Sequence, residues 1–152
     1  MNKLIPISIL AAAIVSVAFA HEGHEHATGV VRERMELMTD MGKRLLATSK
    51  RLRVNKDLES VTNDARAIHE LASRITALFP PGSTQFPTAA KPAVWQEWAD
   101  FSAKAKSLQA ETEKLMNTNA KDGESLRAQF RAVAHACDGC HEKYRVPKGT
   151  PQ

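Results

Sequence analysis

The sequence predicts an all-α protein, an antiparallel four-helix bundle. Three observations lead there. Apolar residues recur at intervals of three and four through most of the chain, the spacing that returns to one face of a helix. No segment alternates with the period of two expected of a half-buried strand. Glycine and proline gather in a few short stretches and cut the periodic runs into four pieces of about 20–25 residues, which pack most simply as antiparallel neighbours.

The elements follow in order. The opening "MNKLIPISILAAAIVSVAFA" has one cation, Lys3, before an apolar run and ends in the small-x-small signal Ala18-Phe19-Ala20. Residues 1–20 therefore read as a secretory signal peptide, too short and wrongly flanked for a membrane span. "HEGHEHATG", residues 21–29, is expected to be a flexible His-rich tail. The first helix covers 30–54, with a stripe of Val31, Met35, Met38, Met41, Leu45 and Leu52. The second starts near Asp57, a suitable N-cap, and carries Leu58, Val61, Ala65, Ile68, Ala72, Ile75 and Leu78 on one face.

"FPPGSTQFPTAAKP" holds four prolines and cannot be helical; it is long enough to cross one end of the bundle. Pro92 suits the first turn of the third helix, whose stripe includes Ala105, Leu108 and Leu115. Trp95 and Trp98 cannot both point inward at a spacing of three. One of them is expected to line a cofactor pocket or a subunit interface. "NTNAKDGE" breaks the pattern, and Asp122 or Ser125 caps the fourth helix, with Leu126, Phe130, Val133, Cys137, Cys140 and Tyr144 inward. "VPKGTPQ" stops it. The bundle spans 30–146 as one domain, and 147–152 form a C-terminal tail.

A formal charge of +4 with aromatics at 5% supplies no dense basic patch with interleaved rings, which argues against nucleic acid. No later apolar stretch approaches the roughly 20 residues of a membrane span. Arg44, Lys50, Arg51 and Arg53 face outward on the first helix; they favour an acidic protein partner and weigh against self-association along that end.

Chemistry concentrates in "ACDGCHE". Export places Cys137 and Cys140 where two thiols would ordinarily form a disulfide. On a helix, however, Cys140 and His141 lie three and four residues after Cys137, so all three share a face and can meet one flat ligand. Covalent c-type haem needs that set: two thioethers and an axial imidazole. A redox C-x-x-C usually accompanies a βαβ unit, a structural zinc wants four ligands, and a plain disulfide has no use for His141. Across an antiparallel bundle, His141 near the end of the last helix faces the early part of the first. Met38 lies about 13 Å into that helix and His141 about 9 Å before the stop at Pro147, so their levels agree. Met35 and Met41 share the stripe and compete if the register shifts by a turn, and such a stripe is commonly core filler.

Four segments carry a family likeness: "RMELMTDMG", "LFPPGS", "KPAVWQEWADF" and "CDGCHEKYR". On these the chain, over nearly all its length after residue 20, resembles the class II c-type cytochromes, cytochrome c′ and its low-spin, methionine-ligated relatives. The resemblance implies one covalent haem c on Cys137 and Cys140, with His141 as proximal iron ligand and Met38 distal. It implies that Arg34 lies near the haem propionates and Arg145 near the proximal face. Asp138 departs from the lysine common between the two cysteines, which alters local charge and not attachment.

The implied function is a periplasmic carrier of single electrons, with Met38 and His141 saturating the iron, and a redox protein as partner. The alternative is a five-coordinate centre in which Met38 only blocks the distal face and nitric oxide or carbon monoxide binds. An enzyme is not expected, since no distal histidine or carboxylate is positioned for peroxide chemistry; His69 and His135 read as surface or satisfied residues. The family contains both monomers and homodimers. A third reading, from composition alone, is a metal-binding module in which His21, His24 and His26 chelate copper, nickel or zinc.

Overall fold

The structure, a computed structural model, describes residues 26–147 and Thr150. Its long helices are α1 (Gly29–Val54), α2 (Glu59–Ser73), α4 (Trp98–Met116) and α5 (Gly123–Tyr144), with a one-turn helix α3 (Ala93–Gln96) before α4. No strand occurs among the described residues, and the bundle is antiparallel, as its cross-helix contacts show. At one end Arg127 on α5 donates to the Leu52 carbonyl and Asn55 Oδ1 at the close of α1, while Thr48 donates to Asp64 on α2. At the other, Arg34 near the start of α1 meets Leu78 beyond α2, and Lys143 and Tyr144 at the end of α5 meet Asp100 at the start of α4.

The apolar stripes close one core. Val61 and Ile68 from α2, Leu115 from α4, Leu126 and Val133 from α5 and Val94 from α3 are all at most 1% exposed. α1 ends where Asn55 takes a left-handed conformation (φ 52°) and its N–H bonds the Arg51 carbonyl. α5 begins under Asp122, whose Oδ1 accepts from the backbone N–H groups of Glu124 and Ser125, leaving Ser125 inside the helix. A Cβ on the next residue, Gly123, would sit 2.5 Å from Asn55 Oδ1, so a larger residue there has to displace the Asn55 side chain.

Three local expectations are corrected. Asp57 is not the residue next to α2; it sits two residues before the helix with φ 53°, and its carboxylate accepts from the Ser60 hydroxyl and Arg51 Nε. α2 does not run unbroken to 78 but bends after Ser73 into a 3₁₀ turn, Thr76–Leu78, where β-branched Ile75 and Thr76 lead into Pro80 and Pro81. The third helix breaks at Glu97 (φ −118°, ψ 45°). That break lets Trp95 turn inward, its indole N–H donating to the carbonyls of Phe79 and Pro80 (3.1 and 3.0 Å), while Trp98 stays 41% exposed.

The crossover between α2 and α3 becomes a strap. The Lys91 N–H donates to the Tyr144 carbonyl (2.9 Å) and the Val146 N–H to the Ala89 carbonyl (2.8 Å), an antiparallel bridge of Ala90 with Arg145. α1 and α5 touch less than the other neighbouring long helices, and the bundle opens between them beside this strap.

Candidate functional site

The opening is a cleft of about 560 Å³ bordered by Met38 and Gly42 from α1, Cys140 and His141 from α5, Ala90 from the strap and its bridge partner Arg145 just after α5. A smaller cavity of about 80 Å³ lies on its inner side, where Cys137 joins Cys140, His141, Met38 and Lys104. The combined space falls in the range of sites for small organic ligands, about 300–1,000 Å³. Helical spacing produces the grouping: Cys137, Cys140 and His141 fall on one face of α5, and Met38 and Gly42, four apart, on the facing side of α1.

Register brings the two helices level. Arg127 reaches Leu52, and Met38 lies as many residues before Leu52 as His141 lies after Arg127, fourteen in each case. At equal rise per residue in antiparallel helices, Met38 and His141 stand opposite each other. Both border both cavities. Met35 touches only the larger space, and Met41, 5% exposed, packs in the core and reaches only the smaller one.

The two cysteines are thiols and not a disulfide, and both are half-buried. Burial, with the charge of Asp138 beside it, pushes the Cys137 thiol up to about 11; burial also raises Cys140, against the pull of Lys104. Among the described residues no three His, Cys, Asp or Glu side chains converge to hold a metal ion directly.

Arg34 is 3% exposed, and its guanidinium donates to the Ser83 carbonyl (2.7 Å), the Ser83 and Thr88 hydroxyls and the Leu78 carbonyl. It also lies 4.8 Å from the Phe79 ring centre. Every acceptor is neutral, no carboxylate pairs with it among the described residues, and desolvation lowers its pKa. A buried cation normally has an anionic partner, and Arg34 borders the larger cleft. A flat apolar ligand with acidic substituents, which two thiols and an imidazole would hold, fits this set. Haem c is such a ligand.

Arg145 borders the cleft, and its N–H bonds the His141 carbonyl (3.0 Å) at the end of α5. Neither tryptophan borders the cavities. His69 Nδ1 bonds the Gln109 carbonyl (3.1 Å), and His135 is exposed. His26 is exposed, while His21, His24 and residues 1–20 lie outside the described residues. Sequence reasoning did not single out Gly42, Thr88, Phe101, Tyr144 or Lys104 as lining residues. Gly42 was legible as the residue one turn after Met38; the strap's contribution depends on long-range pairing that no local pattern announces.

The profile of a family described as Cytochrome C′ matches residues 29–145. Cytochrome c-556 of Agrobacterium tumefaciens (strain II Chrys) is 30% identical over 122 residues, covering 79% of this chain and 99% of its own. Cytochrome c′ of Rhodopseudomonas palustris is 30% identical over 124 residues, covering 80% and 84%. Among solved structures, a nitric oxide complex of a cytochrome c prime variant from Alcaligenes xylosoxidans matches with a TM-score of 0.70 at 26% identity, covering 78% of this chain and 94% of that one.

Proposed function

The chain belongs to the cytochrome c′ family and carries covalent haem c, and from that premise we propose that it is a single-electron carrier with Met38 and His141 as the two axial ligands of the iron. Cys137 and Cys140 form the thioethers. When bound, the haem iron would supply one-electron redox chemistry, and the Met38 thioether as a ligand would raise its potential. The observation that carries this reading is the placement of Met38: level with His141, and the one methionine of α1 on the wall of both cavities, where Met35 borders only the larger and Met41 only the smaller.

The chain's own residues have separate tasks. Arg34 holds positive charge at the cleft, where porphyrin carboxylates would offset it. The Ala90–Arg145 bridge fixes the exit from α5 and with it the imidazole of His141. Val94, Phe101 and Tyr144 line the cleft and keep water off its inner wall. Residues 1–20 direct export to the periplasm, and the partner is an acidic redox protein. No helix among the described residues is long and apolar enough to cross a membrane.

A second reading is favoured by the nitric oxide complex of the Alcaligenes relative: an iron without the Met38 bond, in which the thioether only crowds the distal face and gas binding is the function. Carbon monoxide separates the two. The haem-loaded reduced protein is expected to ignore it, and the Met38→Ala protein to bind it with a shifted absorption band. Binding by the unaltered protein would favour the gas-binding reading.

A further inference from the structure

The cations of α1 are divided between its two flanks. On the side toward α2, Arg44 is ion-paired with Asp40 and Asp64, and Arg51 with Asp57 and Asp64. These two, which the sequence offered as outward charge, are consumed inside the α1–α2 contact. On the other flank Thr39, Lys43, Leu46, Lys50 and Arg53 follow one another at intervals of four, three, four and three, so they form one ridge. All five are exposed, and Leu46 is 56% exposed. Lys43, Lys50 and Arg53 make no ion pair or side-chain hydrogen bond among the described residues.

Gly42 lies beside this ridge. It is exposed, borders both cavities, and a Cβ added there would meet nothing within 4 Å. The cofactor space therefore reaches the surface next to the ridge, through a gap left by the missing side chain. On α5, Arg131 is exposed and so, as the opposing charges, are Asp138 and Glu142. Glu36, also on α1, is taken by Arg32.

We infer that the α1 ridge of Lys43, Leu46, Lys50 and Arg53, with the opening at Gly42, is the docking face for an acidic redox protein. The inference rests on the electron-carrier reading and specifies its partner surface. Three cations without internal partners attract an acidic surface over about a Debye length, roughly 10 Å at 0.1 M salt. Leu46 supplies an apolar contact at the centre of that charge, and the small residue at 42 lets the partner approach the cofactor edge. Electrostatic complementarity of this kind acts mainly on the association rate.

The test uses haem-loaded protein and reduced plant-type ferredoxin, an acidic iron–sulfur protein, as electron donor. Reduction is followed by stopped flow across ionic strength. In the triple variant Lys43→Glu, Lys50→Glu, Arg53→Glu the second-order rate at low salt is expected to fall at least tenfold, with the gap closing as salt is added. A control triple, Arg66→Glu, Arg74→Glu, Lys106→Glu, reverses the same charge on α2, the segment after it and α4, and is expected to lose far less. Equal losses in both triples would mean that net charge alone acts and would overturn the docking face, as would no loss in the first. Absorption spectra with and without carbon monoxide, recorded for all three proteins, keep the premise separate. Carbon monoxide binding in every one would count against the carrier reading, while the rate comparison would still judge the face.

Discussion

Arg34 shows how one residue can serve both fold and site. It occupies a position on the stripe of α1, between Val31 and Met38, where an apolar side chain would be ordinary, yet it is 3% exposed. Its fork of donors holds the segment 78–88 by two carbonyls and two hydroxyls. Truncation would leave several of those acceptors without a donor, each worth about 1–3 kcal/mol when buried. Arg34→Ala is therefore expected to cost about 3 kcal/mol in a denaturant titration of the haem-loaded protein, and to loosen the strap enough for faster amide exchange at Lys91 and Val146. Arg34→Lys should recover only part of this, because an ammonium cannot span the same acceptors. The sequence made Arg34 visible through the family likeness alone; its fastening of the strap follows from partners more than forty residues away.

Among the elements, the strap and the broken third helix were the least legible. Four prolines between 80 and 92 announced a non-helical crossover, and the structure agrees. They could not announce that Ala90 pairs with Arg145, since that pairing depends on where two distant segments arrive. The break at Glu97 has the same origin: the run from Trp95 to Leu115 is locally a good helix, and the bond from the Trp95 indole to the crossover overrides it. Trp95→Phe keeps the ring and removes the donor. Thermal unfolding should show a loss of about 1–2 kcal/mol, with α4 and α5 unchanged in helicity. An unaltered midpoint would mean that the indole bond contributes nothing and that packing of Phe79 against Phe101, with ring centres 4.9 Å apart, sets the break instead. By contrast α1 and α5 were read almost to the residue, because an unbroken apolar period and a capping aspartate are local signals.

For the molecule as a whole, the two ends of the bundle are tied by charge. At the end that holds the cleft, Asp100 accepts from Tyr144 and Lys143, and Lys143 also reaches Glu97. The Tyr144 hydrogen bond, then Lys143, holds the Asp100 carboxyl below its ordinary 3.8, while Glu97 and then Asp100 hold Lys143 above its ordinary 10.5. A depressed carboxylate contributes stability that is present above its ordinary value and lost as pH falls through the folded one. A raised amine contributes stability that is present below its ordinary value and lost as pH rises through the folded one. Asp100→Asn should thus lower the unfolding midpoint at neutral pH, with the difference from the unaltered protein vanishing in acid as Asp100 itself becomes protonated. A constant difference down to the acid end would show that the carboxylate charge is not what matters.

At this scale the bundle and its haem were legible in the sequence, from helical periodicity and from two cysteines and a histidine on one helix face. Met38 was chosen from a stripe of three methionines by helix levels and by the family likeness, and the contact of Arg127 with Leu52 supports that choice by setting Met38 level with His141. That choice is tested most directly by the absorption spectrum of the oxidised, haem-loaded protein in the region of the sulfur–iron charge-transfer band, compared with Met38→Leu. A weak band in the unaltered protein that disappears in the variant, with sharp split bands on reduction, is the expected result. The same broad, high-spin spectrum in both, without that band, would contradict a Met38–iron bond and with it the electron-carrier account.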